Sequence, residues 1–97
     1  MRLLFFGSSP LAVPILDRLV HDPRFEVVLV VTRQDKPSGR RQELLSTEVA
    51  ICAKEHSLPL FQPTSLKSEE IFLKFRSIDY DIGAVASYGM IIPQRIL

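Results

Sequence analysis

The feature that most constrains the fold is an alternation of short apolar runs with segments of helical spacing. Apolar runs occur at residues 3–6, 27–31, 58–61 and 82–86, and the run at 27–31 is rich in β-branched residues. Runs that are apolar on both faces are typical of strands in a sheet covered on both sides. The intervening helical patterns predict the order β-α-β-α-β-α-β, which implies parallel strands with right-handed crossovers. We therefore predict an α/β protein with a partial doubly wound, Rossmann-like parallel sheet in the strand order 3-2-1-4.

Local signals place the three helices. The first is expected to begin near residues 11–14, because Pro14 is tolerated only in a first turn. Thr47 is the expected N-cap of the second helix, and Ser68 precedes two acidic residues that start the third. The expected buried face of the third helix consists of Ile71, Phe72, Phe75 and Ile78. Pro93 is expected to open a further helix.

Length and composition limit the class of protein. Ninety-seven residues form one small domain, and 46% hydrophobic with 24% charged residues is ordinary for a globular chain. A net charge of +1 does not by itself predict a polyanionic partner. The single cysteine permits no internal disulfide, and no metal-ligand spacing is present. We therefore expect no metal. Since no apolar run is long enough for a signal peptide or a membrane span, we also expect a cytoplasmic protein.

Residues 32–46 form a locally basic segment between the second strand and the second helix. Four of the twelve lysines and arginines fall close together there: Arg33, Lys36, Arg40 and Arg41. We expect a structureless loop, and one with a function, because most β–α connections take only about 2–6 residues. The basic part contains no aromatic residue, so it would contact phosphates rather than bases. A solvated surface loop is the alternative.

The expected strand order places a ligand site between strands 1 and 4, where the chain reverses direction across the sheet. Two loops are predicted to meet there. Gly7-Ser8-Ser9-Pro10 opens a helix, so its N–H groups are candidates for holding an anion, and a plain strand–helix turn is the alternative. Tyr88-Gly89-Met90-Ile91-Ile92-Pro93 is a candidate wall of an apolar slot for a heteroaromatic ring, and core packing is the alternative.

Several other polar residues have structural interpretations. His21 and His56 lie at expected helix ends, where imidazoles contact the last carbonyl groups. Cys52 is expected to be a buried small hydrophobic residue. Asp79 and Asp81 precede strand 4 at its amino end, away from the ligand site. Because no Ser/His/Asp or Cys/His arrangement is visible, we assign no catalytic residue.

Three stretches of the chain together match a known pattern. Residues 5–14 read FFGSSPLAVP, residues 32–41 read TRQDKPSGRR, and residues 87–93 read SYGMIIP. In order and spacing they resemble the F-F-G-T-P-x-F-A-V-P, T-x-P-D-[RK]-P-x-G-R-G and A-Y-G-x-[IL]-[IL]-P segments of the methionyl-tRNA formyltransferase family. The resemblance covers essentially all 97 residues. Ser9-Pro10-Leu11 departs from the family's usual Pro, acidic residue and Phe.

The resemblance implies transfer of a formyl group from 10-formyltetrahydrofolate to the amino group of methionine on initiator tRNA. It implies that the folate ring is held at Tyr88, Gly89, Met90, Ile91 and Ile92. It implies salt-dependent tRNA contacts by Arg33, Lys36, Arg40 and Arg41. The family's catalytic groups lie beyond Leu97. Residues 1–97 are therefore expected to be the amino-terminal portion of a formyltransferase domain, truncated, without the carboxy-terminal tRNA-binding domain, and inactive alone.

Two alternatives stay open at this point. Another folate-dependent formyltransferase would act on a sugar nucleotide or a purine precursor, although a small acceptor needs no long basic loop. A non-catalytic α/β binding module would use strand 4 as a pairing edge. Residues 82–86 are uncharged, which favours truncation over a self-contained module.

Overall fold

The computed structural model describes residues 1–38, residues 43–89 and Ile92. The strands are β1 (Arg2–Gly7), β2 (Glu26–Val31), β3 (Lys36–Ser38), β4 (Glu43–Leu45), β5 (Leu60–Phe61) and β6 (Ile82–Ala86). The helices are α1 (Val13–Val20), α2 (Glu48–Glu55) and α3 (Glu69–Arg76), and a short 3₁₀ turn at Pro10–Ala12 leads into α1. The helix expected at Pro93 lies outside the described residues.

The main sheet has four parallel strands in the order β5-β2-β1-β6. This confirms the predicted order 3-2-1-4 and the α/β, Rossmann-like class. Phe5 of the central strand pairs with Val30 on one side and Ala84 on the other. The short strand β5 lies at one edge, and the carbonyl of Pro59 beside it accepts a hydrogen bond from Val30 N at 2.9 Å. Proline is compatible with this position because an edge strand needs donors on one side only.

Each face of the sheet has its own hydrophobic core. On one face, α1 and α2 bury Leu16, Val49 and Ala53 against Leu3 and Phe5 of β1. On the other face, the side chains packed together are Leu4, Phe6, Leu29, Val31, Leu66, Phe75 and Tyr88. Burying a large apolar side chain fully contributes about 1.5–3 kcal/mol. Alternate residues of β1 supply both cores, which is why its sequence is continuously apolar.

The predicted helix starts are confirmed by their caps. Thr47 Oγ1 accepts a hydrogen bond from Ala50 N at 3.0 Å, and Ser68 Oγ accepts one from Ile71 N at 3.2 Å. Pro14 lies in the first turn of α1. His21 ends that helix, and its Nδ1 lies 2.7 Å from the carbonyl oxygen of Asp17. The expected contact of an imidazole with a last carbonyl is therefore present at His21. The prediction differs from the structure at His56, whose Nε2 lies 3.2 Å from the Asp17 carboxylate instead.

The segment between β2 and α2 differs from the prediction. Instead of a structureless loop, it contains the antiparallel pair β3–β4, with Lys36 opposite Leu45 and Ser38 opposite Glu43. Strands of three residues are too short to carry a recognisable alternation of polar and apolar residues, so the sequence pattern could not indicate them. We call residues 33–46 the arm.

Asp79 and Asp81 were expected to lie at the amino end of the sheet. Asp81 Oδ2 accepts a hydrogen bond from Arg2 N at 2.8 Å, and the Asp79 carbonyl accepts one from Arg2 Nε at 2.7 Å. Both aspartates therefore lie at the amino end, as predicted.

Cys52 is buried between the helices and the sheet, also as predicted, and burial is the main cause that raises the pKa of its thiol. Within residues 1–38, 43–89 and 92, no helix has the length and apolarity needed to cross a membrane.

Candidate functional site

The two loops predicted to meet between β1 and β6 are in direct contact. The N–H groups of Ser8 and Ser9 both donate to the carbonyl oxygen of Ser87, at 3.1 and 3.2 Å. This contact continues the pairing of β1 with β6, whose last pair is Gly7 with Ala86. The carboxyl ends of the two strands are thereby tied together at the point where the chain reverses direction across the sheet.

Gly7 permits this close approach. A Cβ atom built on Gly7 would lie 2.8 Å from Ala12 Cβ, from the Ala86 carbonyl oxygen and from Phe5 Cε1. Ala12 Cβ belongs to a short side chain and the Ala86 oxygen belongs to the backbone, so neither atom can easily move away. The glycine is therefore required by packing between β1, β6 and the start of α1.

The hydrogen bonds at this turn favour the plain-turn interpretation over an anion site. The N–H groups of Ser8 and Ser9 are engaged by Ser87. Leu11 N donates to Ser9 Oγ at 3.1 Å, and Ala12 N donates to the Ser9 carbonyl at 3.0 Å. An anion at this helix start would have to compete with these intramolecular acceptors, since a helix N-terminus binds anions through free N–H groups.

The loop after β6 turns through two residues with left-handed backbone conformations. Ser87 has φ 48°, which is unusual for a residue with a side chain, and Gly89 has φ 84°. Gly89 is exposed, and no described atom lies within 4 Å of the place where its Cβ would stand. Among the described residues, none therefore covers the backbone of Gly89 on that side.

Tyr88 points the other way, into the core. Its side chain is 2% exposed, and its ring contacts Phe6 edge-on with 5.6 Å between ring centroids. Burial raises the pKa of Tyr88 to about 12, and within the described residues its hydroxyl has no hydrogen-bond partner. For this side chain the core-packing alternative applies, so a ligand in the slot would meet the backbone of Tyr88 and not its ring.

Of the other residues assigned to the folate slot, Ile92 is partly buried and packs against the same core as Tyr88. Met90 and Ile91 lie outside the described residues. Of the five residues predicted to hold the ring, the described ones therefore give an exposed backbone at Gly89 and packed apolar side chains at Tyr88 and Ile92.

Three short hydroxyl side chains join at the root of the arm. Thr32 follows β2 directly, Thr47 precedes α2 directly, and their Oγ1 atoms are 2.8 Å apart. Thr32 Oγ1 also donates to Ser8 Oγ at 3.3 Å, and Ser8 Oγ accepts the N–H of Arg33 at 3.0 Å. Thr32 and Ser8 are 0% and 3% exposed. We call Ser8, Thr32 and Thr47 the neck, because they close the chain on itself where the arm begins and ends.

The basic residues assigned to RNA contact are distributed along the arm. Arg33 lies at the neck and is half-buried, and its Nε is buried with no partner among the described residues. Lys36 lies in β3, opposite Leu45 of β4. Arg40 and Arg41 lie outside the described residues. Within those residues, no group of three or more His, Cys, Asp or Glu is placed to hold a metal ion.

The chain is similar to known proteins over its whole length. A family model described as formyl transferase matches residues 1–97. The chain belongs to the formyl transferase family. In open α/β sheets of this kind, ligands bind outside the carboxyl ends of the strands, where the loops after β1 and β6 lie.

Curated members of the family include proteins named methionyl-tRNA formyltransferase. The chain is 39% identical to that of Sphingopyxis alaskensis, 40% identical to that of Thiobacillus denitrificans and 35% identical to that of Bacillus mycoides. Each match covers 100% of this chain and 31% of the relative. The chain thus spans about a third of the length of these relatives.

The neck was not predicted from the sequence. Its members lie in separate segments, at residues 8, 32 and 47, and each is an ordinary turn or capping residue when read locally. One signal was present: a short polar residue follows each of two adjacent predicted strands, and the ends of neighbouring parallel strands lie side by side.

Proposed function

We propose that residues 1–97 are the amino-terminal portion of a methionyl-tRNA formyltransferase. The parent protein would transfer the formyl group of 10-formyltetrahydrofolate to the amino group of methionine on initiator tRNA, in the cytoplasm. The methionine nitrogen would attack the formyl carbon and lose a proton. The bond from that carbon to the folate nitrogen would break, and the folate nitrogen would take up a proton to give tetrahydrofolate. The observation that supports this best is the formyl transferase match over the whole chain together with relatives of that name at 35–40% identity.

The folate donor would bind at the loop after β6. Gly89 offers an exposed backbone, and Met90, Ile91 and Ile92 offer apolar side chains for a flat ring. Tyr88 would take part through its backbone, since its ring is in the core. Backbone donors and acceptors beside apolar walls suit a pterin, which is planar and carries hydrogen-bonding edges.

The arm would contact the phosphates of the tRNA. Arg33, Lys36, Arg40 and Arg41 supply the positive charge, and a hairpin gives the segment the reach that a tight β–α turn lacks. This is also the reason to prefer a tRNA acceptor over a sugar nucleotide or a purine precursor, because a small acceptor needs no extension of this size. No catalytic residue is assigned in this chain, so we propose that the 97 residues alone have no turnover.

The proposal is tested by Arg40→Ala combined with Arg41→Ala in the full-length protein. We expect KM for charged initiator tRNA to rise about tenfold, and the slope of log(kcat/KM) against log salt to fall by about 2. KM for 10-formyltetrahydrofolate stays unchanged. The matched control removes two exposed positive charges elsewhere, Lys67→Ala with Arg76→Ala, and leaves both KM values near wild type.

Two outcomes would contradict the proposal. If Arg40→Ala plus Arg41→Ala changes KM for charged tRNA and KM for 10-formyltetrahydrofolate equally, the arm has no specific role in RNA binding. Preferential turnover of a sugar nucleotide or a purine precursor would show that the proposed tRNA acceptor is wrong, although the reaction would still be a formyl transfer.

A further inference from the structure

The neck is a continuous chain of hydrogen bonds with a definite direction. Each hydroxyl has one proton to donate, and that of Thr32 goes to Ser8 Oγ. With the Thr32 proton directed to Ser8, the proton between Thr32 and Thr47 is that of Thr47, whose oxygen accepts the N–H of Ala50. The chain therefore runs from α2 through both ends of the arm to β1, and bonds in such a chain strengthen one another.

A second contact holds the same part of the arm from the opposite side. Gln62, just after β5, donates from Nε2 to the Arg33 carbonyl at 3.1 Å and to Asp35 Oδ1 at 2.9 Å. The first residues of the arm are thus fixed between Ser8 at the end of β1 and Gln62 at the end of β5.

Ser8 also links the arm to the candidate folate loop. Its side-chain oxygen accepts the N–H of Arg33, while its own N–H donates to the carbonyl of Ser87. One buried residue therefore sets the position of the arm's first residue relative to the loop in which the formyl donor is proposed to lie.

We propose that Thr32 and Gln62 are positioning residues for the RNA substrate, because they fix the direction in which the arm leaves the sheet. This inference rests on the proposed role of the arm in RNA binding. A small rotation at the root of the arm moves β3 and β4, which lie farther from the root, by a larger distance. The direction set at the neck and at Gln62 therefore decides where the arm meets the phosphates. Neither side chain needs to touch the RNA.

Thr32→Val is the first test, made in the full-length protein. It keeps the size and shape of a fully buried side chain, and Ser8 and Thr47 each retain a backbone donor. We expect KM for charged initiator tRNA to rise about five- to tenfold, the effect of losing one or two hydrogen bonds. The kcat and the KM for 10-formyltetrahydrofolate stay within about twofold of wild type. Thr32→Ser keeps the hydroxyl and restores most of the tRNA affinity.

Gln62→Glu is the second test, and it does not alter the buried neck. It replaces a donor with a carboxylate oxygen facing the Arg33 carbonyl and the Asp35 carboxylate, so the two acceptors repel it. We expect the same selective rise in KM for tRNA. Gln34→Glu adds the same charge on an exposed neighbour and is expected to change KM much less.

The outcomes separate this inference from the proposed function. If Arg40→Ala plus Arg41→Ala raises KM for tRNA while Thr32→Val and Gln62→Glu do not, the arm binds RNA but neither the neck nor Gln62 positions it. If the arginine variants leave KM for tRNA unchanged, the proposed RNA-binding role of the arm is wrong, and the positioning role that rests on it is wrong as well. A fall in kcat with both KM values unchanged would reduce the neck to a stabilising element, and so would failure of Thr32→Ser to restore affinity.

Discussion

At the amino end of the sheet, charged side chains pair on the surface, whereas at the carboxyl end uncharged groups pair in the interior. Arg2 contacts Glu26 at 3.1 Å, with side chains 43% and 68% exposed. Ser8 and Thr32, at the other end, are almost completely buried and bonded to each other. Exposed ion pairs contribute about 0–1 kcal/mol, while a buried polar group left without a partner costs about 1–3 kcal/mol. The carboxyl end should therefore tolerate substitution much less than the amino end.

The largest effect is expected at Gly7. Gly7→Ala places a methyl group 2.8 Å from three atoms at the junction of β1, β6 and α1, which forces them apart. We expect the free energy of unfolding to fall by about 2–3 kcal/mol, measured by urea denaturation of the full-length protein. Gly83→Ala is the control, because its Cβ would meet only Phe6 Cε1, at 3.8 Å. Equal losses for the two variants would show that close packing at Gly7 is not the cause.

A smaller effect is expected at Ser87. Ser87→Val puts a β-branched side chain on a left-handed backbone and should lower stability by about 1–2 kcal/mol, while Ser87→Gly should leave it nearly unchanged. Ser57, after α2, has a similar φ of 55° but lies away from the ligand loops. Ser57→Val should therefore cost the same stability with no change in KM for folate, whereas Ser87→Val should raise that KM. Differential scanning calorimetry and steady-state kinetics measure the two quantities, and indistinguishable kinetics for the pair would argue against a special role for Ser87.

The smallest effect on stability is expected from the charges at the amino end of the sheet, such as the pair of Asp22 and Arg24. The pKa of Asp22 is lowered from its ordinary value of 3.8 to about 2, chiefly by a hydrogen bond from the Arg24 side chain. Because the folded-state pKa is depressed, the stabilisation is present above pH 3.8 and is lost as the pH falls through about 2. Arg24→Ala should return the Asp22 titration, followed by NMR, towards 3.8. A midpoint that stays near 2 in this variant would point to a cause other than the arginine.

The main sheet was predictable because its signals are local and strong. A continuous apolar run such as residues 27–31 is buried completely only when both faces of the sheet are covered, and in a parallel sheet helices cover them. Thr47 and Ser68 identify helix starts by the chemistry of their own side chains. Strand order then followed from the handedness of the crossovers.

The candidate site was less predictable because it depends on contacts between distant segments. The ring of Tyr88 is buried by Phe6, whose own ring stacks on Phe75, and no local pattern connects these three residues. The neck joins Ser8 to Thr32 across 24 residues of sequence. The hairpin of the arm is too short to produce a periodic signal, so composition alone suggested a loop there.

The closure of the neck also has an evolutionary consequence. Because Thr32 and Thr47 contact each other, the 14 residues between them leave the sheet and return to it at one point. A segment with adjacent ends can be shortened, lengthened or exchanged without moving β2 or α2, and the entropic cost of closing it changes only slowly with its length. Under the proposed function, acceptor preference can thus change by replacement of residues 33–46 while the main sheet stays unaltered.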